Sequence, residues 1–169
     1  MPKVSSMVDS DIKFLLGNIT NSYYKYQTPK YFQKNKYSNL EYYLIKEGLN
    51  KFYNIKRFKI LYTKNGKPYI KNKNIHISIT TSKNLVAVVF SNNKIGLDIE
   101  YIRKNIDNIK KFLNIDKDLD NINTLIEFSK RESNIKKEGL TLKEINKINT
   151  KNENFIIYNN NHYITVINY

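Results

Sequence analysis

Five residues stand at spacings that suit phosphate and metal chemistry. Asp98 and Glu100 lie two apart in Gly96-Leu97-Asp98-Ile99-Glu100. On a strand, side chains alternate between faces, so both carboxylates point one way while Leu97 and Ile99 point into a core. Two carboxylates this close repel unless a cation or proton sits between them. Oxygen ligands of this kind suit Mg²⁺, with Mn²⁺ as the alternative, alongside phosphate oxygens and water. Alone, an Asp-x-Glu pair more often marks a solvated edge strand. Further on, Phe128, Glu132 and Lys136 fall at i, i+4 and i+8 and share one helix face. Glu132 suits a third metal ligand or a general base, and Lys136 a cation for phosphate. In isolation the same pair is an ordinary surface ion pair, worth about 0.3 kcal/mol. Gly66-Lys67-Pro68 adds a glycine that allows close backbone approach and a lysine that can meet a phosphate. Its plain reading is a turn with a solvated lysine.

The elements that must position these residues follow from local pattern. A short strand or loop begins the chain, followed by a helical piece near Asp9 to Ile19. Ser38-Asn39-Leu40-Glu41 reads as a capping box, and Leu40, Tyr43, Leu44 and Phe52 predict a helix over 39–53. FKILY (58–62) and PYI (68–70) flank Asn65-Gly66, a hairpin pair tolerant of positive φ. IHISIT (75–80), LVAVVFS (85–91) and IGLDIE (95–100) are β-branched runs parted by polar turns, so they predict a three-strand meander. Helices follow over 104–113 and 121–138, the second ending at Gly139. FIIY (155–158) and YITVIN (163–168) predict a terminal hairpin. No repeat or low-complexity linker interrupts the chain, and the class is α+β.

Composition adds bounds. The 169 residues fit one domain or two small, closely packed halves. Without cysteine there is no disulfide, thiolate metal site or cysteine nucleophile. No leading or internal apolar run reaches a membrane span, so the expectation is a cytoplasmic protein with no membrane association. The net charge of +14 suggests an anionic partner. The competing explanation is coding bias, since Lys, Asn, Ile and Tyr are all favoured by AT-rich DNA. His76 and His162 lack partners at metal-ligand spacing and read as structural.

Each motif is weak alone, but their order is specific: G-K-P, then strands ending in G-L-D-I-E, then F-S-K-R-E-S-N-I-K-K-E-G. This order resembles the 4'-phosphopantetheinyl transferase superfamily, and its surfactin-type, two-halved branch more closely because G-K-P precedes the strands. The resemblance covers residues 62–139. Within it, 77–100 aligns without a gap, whereas residues 1–60 carry little of the pattern. It implies two pseudo-symmetric α/β halves, about 1–74 and 75–169, with antiparallel sheets and flanking helices. It also implies a magnesium enzyme, monomeric and cytoplasmic. Such an enzyme moves the 4'-phosphopantetheine arm of coenzyme A onto a serine of an apo acyl or peptidyl carrier protein. Those carriers serve fatty-acid, polyketide or nonribosomal peptide biosynthesis.

Carried over residue by residue, the resemblance makes Asp98, Glu100 and Glu132 the metal ligands. Glu132 and Lys136 become the catalytic pair, with Lys136 on the phosphates. Gly66, Lys67, Pro68, Thr80 and Thr81 join Lys136 in binding coenzyme A. Thr80 and Thr81 stand where the family has serine and histidine, and Thr81 brings no charge to the 3'-phosphate. Phe128 stands for the usual tryptophan and Arg131 for the usual lysine. Lys83 is a candidate to compensate for Thr81, and Lys34, Lys36 and Lys46 are candidate phosphate cations in the first half. Two rival readings remain at the level of sequence. One is a non-catalytic homologue that binds coenzyme A or a carrier protein. The other is a nucleic-acid module using charge and the 14 tyrosines, which the clustered acids fit badly.

Overall fold

A computed structural model describes residues 4–6, 11–20, 28–115 and 118–169. The fold is α+β. Strands β1 (Val4–Ser6), β2 (Lys13–Asn18), β5 (His76–Ser82) and β6 (Leu85–Ser91) form an antiparallel sheet in the order β1-β2-β6-β5. Helix α1 (Ser38–Tyr53) covers one face of this sheet, and the small hairpin β3 (Ile60–Tyr62) and β4 (Pro68–Ile70) packs with it. A second antiparallel sheet, in the order β7-β9-β8, comprises β7 (Gly96–Tyr101), β8 (Phe155–Asn159) and β9 (Tyr163–Asn168). Helices α2 (Asp107–Leu113) and α3 (Asn121–Glu138) cover its outer face.

Three apolar clusters follow from strand alternation. Leu15, Ile77, Val88 and Phe90 face α1, joining Leu44, Ile45 and Leu49. On the opposite face Ile12, Phe14, Ala87 and Val89 meet Leu97 and Ile167 of the second sheet. Ile164 and Val166 then face α2 and α3 through Ile109, Leu125 and Ile135. The layers therefore run helix, sheet, sheet, helices. The boundary expected near residue 74 falls within the first of these cores, which draws on residues from Leu15 to Phe90.

Several local expectations are corrected. The helical piece expected over Asp9–Ile19 is instead strand β2 over Lys13–Asn18; Asp9 and Ser10 lie outside the described residues. Both faces of β2 meet a core, Leu15 on one side and Phe14 and Leu16 on the other, so its apolar residues do not alternate with polar ones as a half-buried strand's would. Ser38 does not cap α1. Its hydroxyl instead accepts the Lys34 and Asn35 amides, at 2.9 and 3.0 Å, and Tyr37 occupies the N-cap position. The β3–β4 turn spans residues 63–67, and of the Asn65-Gly66 pair only Gly66 takes a positive φ, 85°. The helix expected over 104–113 begins at Asp107.

The three-strand meander does not form, because β7 pairs with β9 rather than with β6. Strand β7 runs beside β5, but hydroxyls replace the backbone ladder there. Ser78 Oγ accepts the Leu97 amide at 3.0 Å and Ser82 Oγ accepts the Tyr101 amide at 3.1 Å. Alternation puts Ser78, Thr80 and Ser82 on one face of β5, turned towards β7. The expected helix over 121–138 and the terminal hairpin form as read. Asp120 caps α3 by accepting the Asn123 amide, and Gly139 ends it at φ 69°. No helix among the described residues is long and apolar enough to cross a membrane.

Candidate functional site

Strand β7 presents Gly96, Asp98 and Glu100 towards α3, as alternation requires. Contact is close because Gly96 has no side chain: a Cβ there would lie 1.8 Å from the Ser133 carbonyl oxygen. This approach brings the acids of β7 against the Glu132–Lys136 face of α3. Lys136 Nζ donates to Asp98 Oδ1 at 2.7 Å and lies 3.3 Å from Glu132 Oε2. Thr80, from β5, closes the cluster. Its hydroxyl donates to Asp98 Oδ1 at 3.2 Å and accepts from Lys136 Nζ at 3.1 Å. Glu100 stands one pleat further out and pairs with Arg103 at 3.0 Å.

Burial sharpens these charges. Asp98 is only 2% exposed. Desolvation opposes its ionised form, but the Lys136 ammonium outweighs this and holds the carboxyl below its ordinary range. Lys136 is likewise held above its ordinary range: burial disfavours the ammonium, but Asp98 and Glu132 overcome that. Glu132 is pushed up to about 7 by burial and then by the neighbouring Asp98 charge. Burial and Asp98 also raise Glu100, with Arg103 opposing. Asp98 Oδ2 is buried and makes no hydrogen bond of good geometry, although Ser129 and Glu132 stand near enough to influence its titration.

The cluster forms part of the wall of a cleft of about 530 Å³. The second sheet and α3 contribute Asp98, Glu100, Glu132 and Lys136. Thr80 and Thr81 line it from β5, and Gly66 and Pro68 from the hairpin. Lys34, Asn35, Glu41 and Tyr62 also line it. Lys67 instead lines an adjoining cavity of about 210 Å³, with Gly66, Pro68 and Lys136. Its ammonium donates to the Lys137 carbonyl at the end of α3, while Asn65 Nδ2 donates to Gly139 O at 2.9 Å. Burial, followed by the nearby charges of Lys94 and Lys137, lowers Lys67 to about 8 despite Glu138.

The sequence-predicted site residues thus divide. Asp98, Glu100, Glu132, Lys136, Thr80, Thr81, Gly66 and Pro68 share one cleft, and Lys67 lies next to it. Phe128 packs in the second core. Arg131 does not reach the cleft: it binds Glu127 at 2.9 Å and the Leu113 carbonyl at 3.3 Å, tying α2 to α3. Lys83 sits over the Tyr101 ring, 2.9 Å from its centroid. Of the first-half lysines, Lys34 lines the cleft, Lys36 lies over Tyr37 and Lys46 is exposed on α1. His76 is lowered by burial and then by Lys67 and Lys94, and His162 lies in the β8–β9 turn.

Sequence reading missed Glu41 as a cleft residue, because the capping-box pattern assigned it to a helix start. Among the described residues, no three His, Asp or Glu side chains converge as a metal-holding group. The Lys136 ammonium stands between Asp98 and Glu132 instead. The donor set nevertheless suits a hard divalent cation, since all its atoms are carboxylate oxygens and Asp98 Oδ2 is buried without a partner. The chain matches no protein-family model and no curated protein.

Proposed function

We propose that this chain transfers the 4'-phosphopantetheine arm of coenzyme A to a serine hydroxyl of an apo acyl or peptidyl carrier protein. The observation that carries the reading is the buried Asp98, with one oxygen unpartnered, beside Glu132 and Lys136 on the wall of an open cleft. Gly66 and Pro68 also line this cleft, while Lys67 lines the adjoining cavity. Two α/β halves of the phosphopantetheinyl transferase type are the corresponding fold proposal.

The chemistry needs no nucleophile from the chain. The carrier serine oxygen bonds to the β-phosphorus of coenzyme A, and the bond from that phosphorus to the bridging oxygen breaks. Adenosine 3',5'-bisphosphate leaves with the electron pair. Asp98, Glu100 and Glu132 would hold Mg²⁺, or Mn²⁺ in its place, which when bound neutralises pyrophosphate charge. Lys136 faces the same cleft and stabilises charge that builds on the transferred phosphoryl oxygens. Glu132, on the same wall of the cleft, is the candidate acceptor of the serine proton, directly or through a water.

The test is incubation with coenzyme A, Mg²⁺ and a panel of apo carrier proteins, read by intact mass. The expected result is one phosphopantetheine arm added to at least one carrier, lost with EDTA and in Glu132→Ala. A second reading is a homologue that binds coenzyme A without transfer; the ammonium within the acid cluster favours it. Tight coenzyme A binding with no carrier modified would select that reading. The acids lining the cleft count against a nucleic-acid module, because the phosphate backbone would meet carboxylates there.

A further inference from the structure

The cleft has a charge balance opposite to that of the chain. Among the described residues, Glu41, Asp98, Glu100 and Glu132 line it against only Lys34 and Lys136. Lys136 is already engaged by Asp98 and Glu132. Away from that cluster the described lining therefore relies on Lys34 to reward an anion, and Lys34 is itself engaged. Its ammonium lies 3.4 Å from the centroid of the Tyr62 ring. Glu41 is close enough that Lys34 lowers its titration, although burial dominates and raises it.

This wall is built rather than incidental. Ser38 Oγ accepts the Lys34 and Asn35 amides and ties their turn to the start of α1. Glu41 follows on the first turn of the same helix, with its amide bonded to the Tyr37 carbonyl at 2.9 Å. Tyr42 and Phe32 pack behind, with ring centroids 5.6 Å apart. A carboxylate on a cleft wall accepts hydroxyl donors well and repels a phosphate monoester. Dinucleotide sites use an acidic residue in this way to bind a ribose hydroxyl where a phosphate would clash. Thr81, which also lines the cleft, can donate a hydroxyl hydrogen bond but adds no cation.

Building on the transferase reading above, we infer that Glu41 is a specificity-determining residue. It favours a nucleoside diphosphate ester with a free ribose hydroxyl, dephospho-coenzyme A, over one bearing the 3'-phosphate. The wild-type cleft then binds dephospho-coenzyme A at least as tightly as coenzyme A. Removing the Glu41 charge shifts the preference towards coenzyme A by roughly tenfold, the scale of one like-charge contact in a partly solvated site.

The test is calorimetric titration of the chain with each nucleotide in the presence of Mg²⁺ and without carrier protein, for wild type, Glu41→Gln and Glu41→Lys. Expected are a wild-type Kd ratio near or above one for coenzyme A over dephospho-coenzyme A, a fall in Glu41→Gln and a further fall in Glu41→Lys. Circular dichroism establishes that each variant is folded. If wild type binds coenzyme A tenfold more tightly and both variants keep that ratio, the inference is overturned while the transferase reading stands. If folded wild type binds neither nucleotide, the transferase reading fails and the inference fails with it.

Discussion

At the residue scale, the site is a balance of buried charge. Lys136 is the cation that lets Asp98 remain ionised at 2% exposure. Removing one partner of such a pair leaves the other uncompensated. Lys136→Met should therefore destabilise the fold by about 3 kcal/mol. The double variant Asp98→Asn with Lys136→Met should lose much less, since no buried charge is then left alone. Urea denaturation of wild type, Asp98→Asn, Lys136→Met and the double variant measures the coupling, and a double variant as unstable as the sum of both singles would refute it. Mg²⁺ should raise the Tm of Lys136→Met more than that of wild type if Asp98 and Glu132 can hold a divalent ion. Lys67 supplies the pH prediction. Its folded value of about 8 lies below the ordinary 10.5. Between those values the unfolded chain holds a proton that the folded chain has released, so this group's contribution to stability rises with pH across that window. Below about pH 8 both states are protonated and the full penalty of the buried ammonium is present. Comparing wild type with Lys67→Met at pH 8 and 10 isolates the effect, because the other lysines and tyrosines titrate in both. Identical slopes would mean that Lys67 is not perturbed.

At the element scale, the site depends on how closely β7 lies against α3. Gly96→Ala places a Cβ where the Ser133 carbonyl oxygen stands, and the Lys137 amide nitrogen is only 2.8 Å away. Both are helix backbone and cannot rotate aside, so α3 must move bodily. Overpacking of this kind costs about 1–3 kcal/mol, and the shift would carry Glu132 and Lys136 away from Asp98. Stability and carrier modification should therefore fall together in Gly96→Ala. Wild-type activity in that variant would show that the β7–α3 register is not critical. The same scale separates what the sequence made legible from what it hid. Alternation in Leu97-Asp98-Ile99-Glu100 and helical spacing from Phe128 to Lys136 depend on single elements, and both were readable. The pairing of β7 with β9 was not. It joins residues about 70 apart in the chain, and nothing local distinguishes it from a meander. The hydroxyl seam of Ser78, Thr80 and Ser82 left a trace, small polar residues at every second position of β5. The capping box of Thr141 with Glu144 was also present in sequence, as Thr-Leu-Lys-Glu, and marks the short 3₁₀ helix Leu142–Lys147. Glu41 was hidden because the same Ser-x-x-Glu signal at Ser38 serves a turn and a cleft wall instead of a cap.

At the scale of the whole molecule, a chain of net charge +14 encloses a cleft whose described lining is acidic. The excess positive charge therefore lies elsewhere on the surface, where it can act on a macromolecular partner rather than on the nucleotide. If that partner is an acidic carrier protein, long-range attraction should govern encounter more than the chemical step. Raising salt from about 0.1 M to about 1 M shortens the screening length from roughly 10 Å to roughly 3 Å. Over that range kcat/KM for the carrier should fall by about tenfold or more, while kcat at saturating carrier changes little. A carrier variant with its surface acids neutralised should start from a lower kcat/KM and respond weakly to salt. Measuring both carriers across the salt series separates steering from general salt inhibition, which would depress the two equally. A flat response for the acidic carrier would instead leave coding bias as the explanation for the lysines, and would move carrier recognition to apolar contact.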